Sequence, residues 1–247
     1  MTHRKMVLDV NDSTDTDPFD STTEHTWEDS ADYDIGDHIP YRVTGFLPQA
    51  AYKASESYYY RVDDVMQNLE YVSNSGHMFA FVKGPTDEVG VWYQVDEYFK
   101  ITAPSSMVAS GAISSDGSDT IKYLQAETKE SAGLKAIVRG YRTTWGDADT
   151  HANDQKAEPT VAYSTTTINP NHIQYLQFRY KAELLPTANI GTAGNANDAK
   201  IVYGNGSQST GWDRNRVFTY KVLINKTYAD DEQTNRTEFA TFALYKK

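Results

Sequence analysis

Apolar and polar residues alternate along several short segments of the chain, as they do in a strand with one buried face. The segments are HIPYRVTGFLP, VGVWYQVDEYFKI, YLQFRYKAEL and VFTYKVLINKT. One face of the third collects Leu176, Phe178, Tyr180, Ala182 and Leu184. Between the segments lie turn-forming stretches such as SNSG, KGPTDE, SSDGSD and GNGSQSTG. This pattern predicts an all-β fold in which antiparallel strands form a β-sandwich.

The middle of the chain follows this pattern less clearly, from about Ser105 to Thr167. It contains SDTIKYLQAETKESAGLKAIV, the one segment whose loose apolar spacing also permits a helix. We therefore expect a sandwich with an insertion that carries one short helix.

Composition narrows the classes of protein to which the chain can belong. Of its 247 residues, 39% are hydrophobic and 13% are aromatic, enough to bury a core. A net charge of -11 without a basic patch argues against nucleic-acid binding. No apolar run reaches the length of a membrane span, and the first residues do not form the apolar core of a signal peptide. We expect the chain to be a piece of a longer protein.

The chain has no cysteine. Disulfides and thiolate metal sites are therefore excluded, and the six histidines show no metal-ligand spacing. If the protein works outside a cell, another device must stabilise it.

Three stretches, in order, carry a family resemblance: WEDSADYDIGDHIPYRVTGFLP, YYYRVDDVMQNLEYV and YKAELLPTANIGTAGNANDAKIVYGN. With the lysine of the opening RKMVLDVND, they resemble the signatures of the isopeptide-forming domain of sortase-assembled backbone pilins of Gram-positive fimbriae. The resemblance covers about the first 225 residues, except the middle insertion. It implies an Ig-like sandwich of the collagen-adhesin type.

The resemblance implies a spontaneous amide bond between a lysine and an asparagine side chain, assisted by a buried carboxylate. The matching lysine is Lys5 and the matching asparagine is Asn197. The motif places Asp63 as the helper acid, with Asp64 as the alternative. The chain departs from the family here, because Asp64 stands where a threonine is usual and Asn68 where a glycine is usual. The choice between the two acids therefore stays open.

These residue types suit the chemistry. Burial disfavours the charged form of both groups, so the pKa of a buried lysine falls and that of a buried aspartate rises. The neutral amine can attack the carboxamide while the acid hydrogen-bonds its oxygen and passes a proton to departing ammonia. The fold makes the reaction intramolecular. Each molecule reacts once, so we expect a self-modifying structural protein that needs no cofactor and is not an enzyme.

The resemblance also suggests a domain division. Residues 1–216 match the isopeptide-forming sandwich, and residues 217–247 a final strand followed by the incomplete start of the next pilin domain. Lys226 stands in the place of that next domain's own bond-forming lysine and has no asparagine partner in this chain. The implied partners are other pilin subunits in a covalent fibre and the sortase that joins them. The implied location is an extracellular pilus anchored to the cell wall of a Gram-positive bacterium.

The opening stretch permits a different interpretation, a calcium loop. Asp9, Asn11 and Ser13 have the alternate spacing of an EF-hand. However, Thr14 occupies the position that requires glycine, Asp20 replaces the bidentate glutamate, and the preceding residues read as a strand. A solvated acidic loop after the first strand fits better.

Two further constellations are weaker. The stretch YLQAET resembles the glutamate box of a neighbouring type of pilin domain, in which Glu127 would be the helper acid, but the proline and glycine expected after it are missing. Asp147, Asp149 and His151 have the residue types of an ion site and also of an ordinary loop.

Two alternative functions remain open. The first is an adhesin or carbohydrate-binding module that recognises a host or matrix ligand through exposed aromatic residues, which would have to cluster on one face or loop. The second is a calcium-dependent accessory domain of a cell-wall enzyme.

Overall fold

The computed structural model describes residues 1–9, 26–47, 59–83, 91–113, 119–129, 139–143, 161–167 and 173–221. These residues form β-strands, turns and a single 3₁₀ turn, Asp96–Tyr98. None of the described segments is a helix of the length and apolar character needed to cross a membrane.

Within the described residues, the first sheet contains nine strands. They are β1 (Thr2–Asp9), β2 (Thr26–Glu28), β4 (His38–Phe46), β6 (Leu69–Tyr71), β7 (His77–Val82), β8 (Val91–Gln94), β11 (Arg139–Thr143), β12 (Val161–Thr167) and β13 (Ile173–Leu184). Their order is β12-β11-β8-β7-β13-β4-β1-β2, with β6 paired to β13. All of these pairings are antiparallel.

The second sheet contains seven strands in the part of the chain that the structure describes. They are β3 (Ser30–Asp32), β5 (Tyr59–Gln67), β9 (Phe99–Thr102), β10 (Ile121–Thr128), β14 (Asn195–Gly204), β15 (Gln208–Ser209) and β16 (Asp213–Phe218). Their order is β3-β16-β14-β5-β10-β9, with β15 paired to β14. Only the pairing of β16 with β3 is parallel among the described strands.

The predicted antiparallel β-sandwich is confirmed. The main core lies between the two sheets and includes the whole apolar stripe of β13, Leu176 to Leu184 at every second residue. The intervening Gln177 and Arg179 are also buried, so both faces of this strand are covered.

The predicted helix is wrong where the structure describes it. Residues Ile121–Thr128 form strand β10, in which Leu124, Ala126 and Thr128 are buried at every second position. Pairing with β5 on one side and β9 on the other satisfies the backbone and imposes this period of two. Long-range pairing therefore overrides the weak local helical spacing.

Two strand boundaries differ from the sequence prediction. The segment VGVWYQVDEYFKI is not one strand: it forms β8, turns through Asp96–Tyr98 and continues as β9 in the other sheet. The final strand, β16, begins at Asp213 and ends at Phe218, so it straddles the predicted division between residues 216 and 217. Val222 and Ile224, predicted to continue it, lie outside the described residues.

Candidate functional site

Lys5 lies in the middle of β1 with its side chain pointing into the core. It is directly opposite Val43 on β4, and both side chains are fully buried. Strand β2 pairs with β1 only from Val7 to Asp9. The backbone edge of β1 at Lys5 is therefore open to other partners. Asp213 accepts a hydrogen bond from the Lys5 N–H at 2.7 Å, and Asn215 donates one to the Lys5 carbonyl at 3.3 Å. These contacts fix the lysine backbone against β16.

Asn197 and Asp64 lie on neighbouring strands of the second sheet. In the pairing of β14 with β5, Asn197 is opposite Met66 and Ala199 is opposite Asp64. Residues that are directly opposite, or two apart on one strand, share a face of a sheet. Asn197 and Asp64 therefore both point toward the first sheet and toward Lys5.

The predicted lysine and asparagine meet Asp64, the alternative acid, in the core. Lys5 Nζ donates a hydrogen bond to Asn197 Oδ1 at 2.7 Å and another to Asp64 Oδ2. All three residues have no solvent exposure. Lys5 and Asn197, the two residues that the resemblance expects to be joined, are therefore in contact across the gap between the two sheets.

A tyrosine on β13 joins the same cluster. The Tyr180 hydroxyl lies 2.9 Å from Lys5 Nζ, 2.9 Å from Asp64 Oδ2 and 2.8 Å from Asn197 Nδ2. Its ring is stacked on Tyr41 with centroids 5.4 Å apart. Lys5 Nζ lies 5.2 Å from the centroid of Tyr41 and 5.4 Å from that of Tyr180. The two rings form an aromatic wall that excludes water from the amine.

Burial controls the protonation of the site. Removal from water lowers the pKa of Lys5, although the nearby Asp64 opposes the shift. The same burial raises the pKa of Asp64, opposed by Lys5. Attraction of an ammonium to the ring faces would add about 2 kcal/mol in favour of the charged lysine, less than the cost of burying two charges. Burial therefore shifts both groups toward their neutral forms, the amine and the carboxylic acid.

The second oxygen of Asp64 supports this assignment. Oδ1 is buried and accepts no hydrogen bond within the described part of the chain. An ionised carboxylate with one unpaired oxygen in a dry interior is strongly disfavoured, whereas a carboxylic acid tolerates that environment. Burial also holds the pKa of Tyr180 well above its ordinary value, so its hydroxyl keeps its proton.

The structure reverses the order of preference between the two acids. Asp63 lies on the opposite face of β5, where Arg61 donates to both of its oxygens at 2.7 and 3.0 Å and Gln125 donates at 2.7 Å. It makes no contact with Lys5. Consecutive residues of a strand point to opposite faces, so only one of the two can reach the core, and that one is Asp64.

The second departure from the family pattern has a backbone explanation. Asn68 has a φ of 55°, in the left-handed region where glycine is favoured and asparagine is the best-tolerated alternative. Its side chain donates to Asp119 at 3.1 Å and to Asn195 at 3.2 Å, and accepts from the Thr120 N–H at 3.0 Å. The asparagine therefore keeps the turn that a glycine would make and adds hydrogen bonds to it.

The remaining sequence candidates lie away from this cluster or outside the described residues. Glu127 accepts a hydrogen bond from the Tyr59 hydroxyl at 3.1 Å and does not contact Lys5. Lys226 and the Asp147 to His151 group fall outside the described residues, as does most of the opening acidic loop. No three His, Asp or Glu side chains are grouped to hold a metal ion in the part of the chain that the structure describes.

Sequence reasoning missed the two tyrosines. Tyr180 lies in the apolar stripe predicted for β13, and Tyr41 lies in HIPYRVTGFLP, the segment predicted to form the strand that is β4. The available signal was chemical: a tyrosine at a fully buried position needs a partner for its hydroxyl, unlike a phenylalanine. A tyrosine in the core stripe is thus a candidate for contact with other buried polar groups.

The surface that an adhesin would need does not appear among the residues whose exposure is described. The exposed large apolar side chains there are Ile35, Phe46, Val108, Ile190 and Tyr220. Of the two aromatic members, Phe46 ends β4 in the first sheet, and Tyr220 lies outside the strands, two residues after the end of β16. These residues provide no stacking platform, so the adhesin alternative is not favoured.

Comparison with known proteins gives similar structures only. No family model matches the chain, and no curated protein matches its sequence. It is similar to a C-terminal fragment of the major pilin GBS80 of Streptococcus agalactiae, with 13% identity over 89% of this chain and 57% of that one, and a TM-score of 0.43. For the full-length major pilin RrgB of Streptococcus pneumoniae, the identity is 15% over 83% of this chain and 24% of that one, and the TM-score is 0.38.

The collagen-binding domain of a Staphylococcus aureus adhesin is also similar, with 9% identity over 76% of this chain and 93% of that one, and a TM-score of 0.33. The chain thus spans 57% and 24% of the two pilin chains. Two of these three neighbours are major pilins, the class that the sequence motifs resemble. At such low identities and TM-scores, the similarity by itself assigns no function.

Proposed function

We propose that the chain is a fragment of a structural pilus subunit, stabilised by an isopeptide bond that it forms between its own Lys5 and Asn197, with Asp64 as the helper acid. One observation carries the proposal: a fully buried lysine amine in contact with an asparagine carboxamide and a carboxyl group. Burying a lysine side chain costs free energy, so a fully buried lysine is rare and calls for a functional explanation. Bond formation is such a purpose.

The chemistry follows from the contacts. The neutral Lys5 amine attacks the Asn197 carbonyl carbon, which is bonded to the oxygen that Nζ already contacts at 2.7 Å. Asp64 takes a proton from Nζ and supplies one for the departing nitrogen, so that ammonia leaves and an amide remains. The folded chain holds amine and amide together, which replaces a bimolecular encounter with an intramolecular step.

The position of the bond suits a subunit under tension. Lys5 belongs to the first strand of the chain and Asn197 to β14, a central strand of the other sheet. A link between them crosses the core and closes a loop that contains most of the sandwich. Force entering along β1 would pass through this bond into β14, and the strands between them would stay folded.

The wider biological setting belongs to the same proposal. The sequence motifs resemble backbone pilins that sortase joins into covalent fibres on Gram-positive cells. We place the chain in such a fibre, outside the cell and anchored to its wall, with other pilin subunits as its partners. The absence of cysteine from the sequence fits an amide bond in the stabilising role of a disulfide.

Intact-mass measurement under denaturing conditions tests the proposal. The chain should be lighter than its calculated mass by one ammonia, and proteolysis should release a branched peptide that joins the Lys5 and Asn197 segments. Lys5→Met, Asn197→Ala and Asp64→Asn should each restore the full calculated mass for their sequences.

Asp63→Asn is the matched control, since it neutralises the adjacent acid on the other face of the same strand. It should still lose one ammonia. A wild-type chain at its full calculated mass, with no branched peptide, would refute the proposed bond. Full mass in Asp63→Asn together with ammonia loss in Asp64→Asn would refute the choice of acid.

A further inference from the structure

The proposed reaction leaves one step without a direct route. Ammonia can depart only if the Asn197 nitrogen gains a proton, yet no hydrogen bond joins Asp64 to Asn197. Asp64 Oδ2 is bonded to Lys5 Nζ and to the Tyr180 hydroxyl, while Oδ1 accepts no hydrogen bond. Asp64 and Asn197 both lie in the described part of the chain. A proton that moves from Asp64 to the Asn197 nitrogen must therefore pass through another group.

That group is a tyrosine hydroxyl. Tyr180 lies 2.9 Å from Asp64 Oδ2 and 2.8 Å from Asn197 Nδ2, both within hydrogen-bond distance. We infer that Tyr180 is the proton relay of the reaction, carrying a proton from Asp64 to the nitrogen that leaves Asn197. The inference rests on the proposed isopeptide bond and adds a second catalytic residue, beside Asp64, to the reaction between Lys5 and Asn197.

The hydrogen-bonding capacity of the hydroxyl fits this role. A tyrosine hydroxyl has one hydrogen to donate and two lone pairs to accept. Three partners surround Tyr180: the amine, the acid and the carboxamide nitrogen. Its capacity is filled by the three groups between which protons must move.

The step balances. The lone pair of Lys5 Nζ forms the new bond to the Asn197 carbonyl carbon, and the carbonyl electrons move to its oxygen. Loss of amide conjugation makes Nδ2 basic. The acid proton of Asp64 passes to the Tyr180 oxygen as the Tyr180 hydrogen passes to Nδ2, and Asp64 then takes one proton from Nζ. When the carbonyl re-forms, the bond from carbon to Nδ2 breaks, and ammonia departs with its electron pair.

At the end, Asp64 and Tyr180 have the same protons as at the start, as a catalyst requires. Tyr180 is suited to pass a proton without becoming ionised, because its hydroxyl donates one hydrogen while it receives another. Its ring is held by stacking on Tyr41 and on Phe178, whose centroids lie 5.4 and 5.1 Å away. The hydroxyl is therefore fixed in place between acid and amide.

The test is the rate of bond formation in Tyr180→Phe, which keeps the ring and removes only the hydroxyl. The full chain is made by cell-free translation, synthesis is stopped, and samples are quenched in denaturant over time for intact-mass measurement. We expect the loss of ammonia to be about 100-fold slower than in wild type, the size of a general acid–base contribution. A rate within about threefold of wild type would overturn the relay.

Tyr71→Phe is the matched control. Its ring packs on Tyr180 with centroids 6.5 Å apart, and its hydroxyl accepts a hydrogen bond from the Gly76 N–H, away from the reacting atoms. It should react at the wild-type rate. Equal slowing in both variants would overturn the relay and indicate that loosened packing controls the rate.

A second variant covers the case in which Tyr180→Phe fails to fold. Difluorotyrosine at position 180 keeps the hydroxyl and the packing but makes the hydroxyl more acidic. A relay predicts a changed rate of ammonia loss and a shifted pH profile, and an unchanged rate and profile would overturn it. If wild type itself never loses ammonia, the proposed bond fails, whereas normal loss in every tyrosine variant refutes the relay alone.

Discussion

The stability supplied by the proposed bond can be worked out from its position. Residues 5 and 197 are separated by 192 positions. For a cross-link that closes a loop of this length, the chain-entropy model gives a stabilisation of about 5 kcal/mol, because the unfolded chain loses freedom. In a domain of this size, 1 kcal/mol corresponds to about 2–4 °C, so loss of the bond should lower the melting temperature by about 10–20 °C.

A double-mutant cycle separates the bond from ordinary packing. Lys5→Met and Asn197→Ala each abolish the bond and each also remove some contacts. The double variant loses the bond only once. Its cost should therefore fall short of the sum of the two single costs by about 5 kcal/mol, far above the coupling of ordinary neighbours. Thermal and urea unfolding of the four proteins, followed by circular dichroism, would measure it.

The control cycle uses an exposed ion pair, Lys122 and Glu70, whose charged atoms lie 3.4 Å apart. Its coupling should stay below about 1 kcal/mol. Urea unfolding provides an independent check, since a cross-linked unfolded chain is more compact and should show a smaller dependence of stability on urea than either single variant. Additive costs in the Lys5 and Asn197 cycle, with equal urea dependence, would refute the reasoning.

Three further predictions concern the fold around the site. Gly45→Ala should destabilise by about 1–3 kcal/mol, because a Cβ there would overlap a tyrosine hydroxyl and an isoleucine methyl group, whereas Gly211→Ala, with open space around it, should change little in urea unfolding. Burial lowers the pKa of His3 below its ordinary 6.5, so the unfolded chain takes up its proton first and stability should fall as the pH drops below that value. His3→Gln should weaken this fall, and a pH dependence of stability unchanged from wild type would contradict the assignment. Asn68→Ala should melt below Asn68→Gly by the equivalent of about 1 kcal/mol, since φ is 55° there; the reverse order would exclude backbone strain as the cause.

The sandwich was predictable because its strongest signals are local. In β13, five apolar residues recur at every second position from Leu176 to Leu184, and the structure buries all five. The helix prediction failed for the opposite reason. The strand conformation that buries Leu124 and Ala126 in β10 is imposed by pairing with β5 and β9, and local apolar spacing carries no information about that pairing.

The candidate site, like the fold, was predictable from the sequence only in part. The positions of Lys5 and Asn197 came from the resemblance, and their contact depends on two sheets that only the tertiary fold brings together. The choice between Asp63 and Asp64 depended on strand parity. A partial signal was present, since Asp64 shares its parity with the buried Val62 and Met66, whereas Asp63 shares its parity with Arg61 as well as with the buried Val65. To use this signal, one had to know which face of β5 lies on the same side of the sheet as the Asn197 side chain.

The arrangement of the site also couples the reaction to completed folding. Lys5 comes from one sheet, and Asp64 and Asn197 come from the other, so no pair of neighbouring strands assembles all three groups. An exposed lysine is an ammonium and cannot attack. Only closure of the sandwich removes water from the amine, lowers the pKa of Lys5, raises that of Asp64 and brings Nζ to the carboxamide. A partly folded chain therefore stays unlinked and free to correct itself, and the proposed covalent bond would record the native pairing of the two sheets after that pairing has formed.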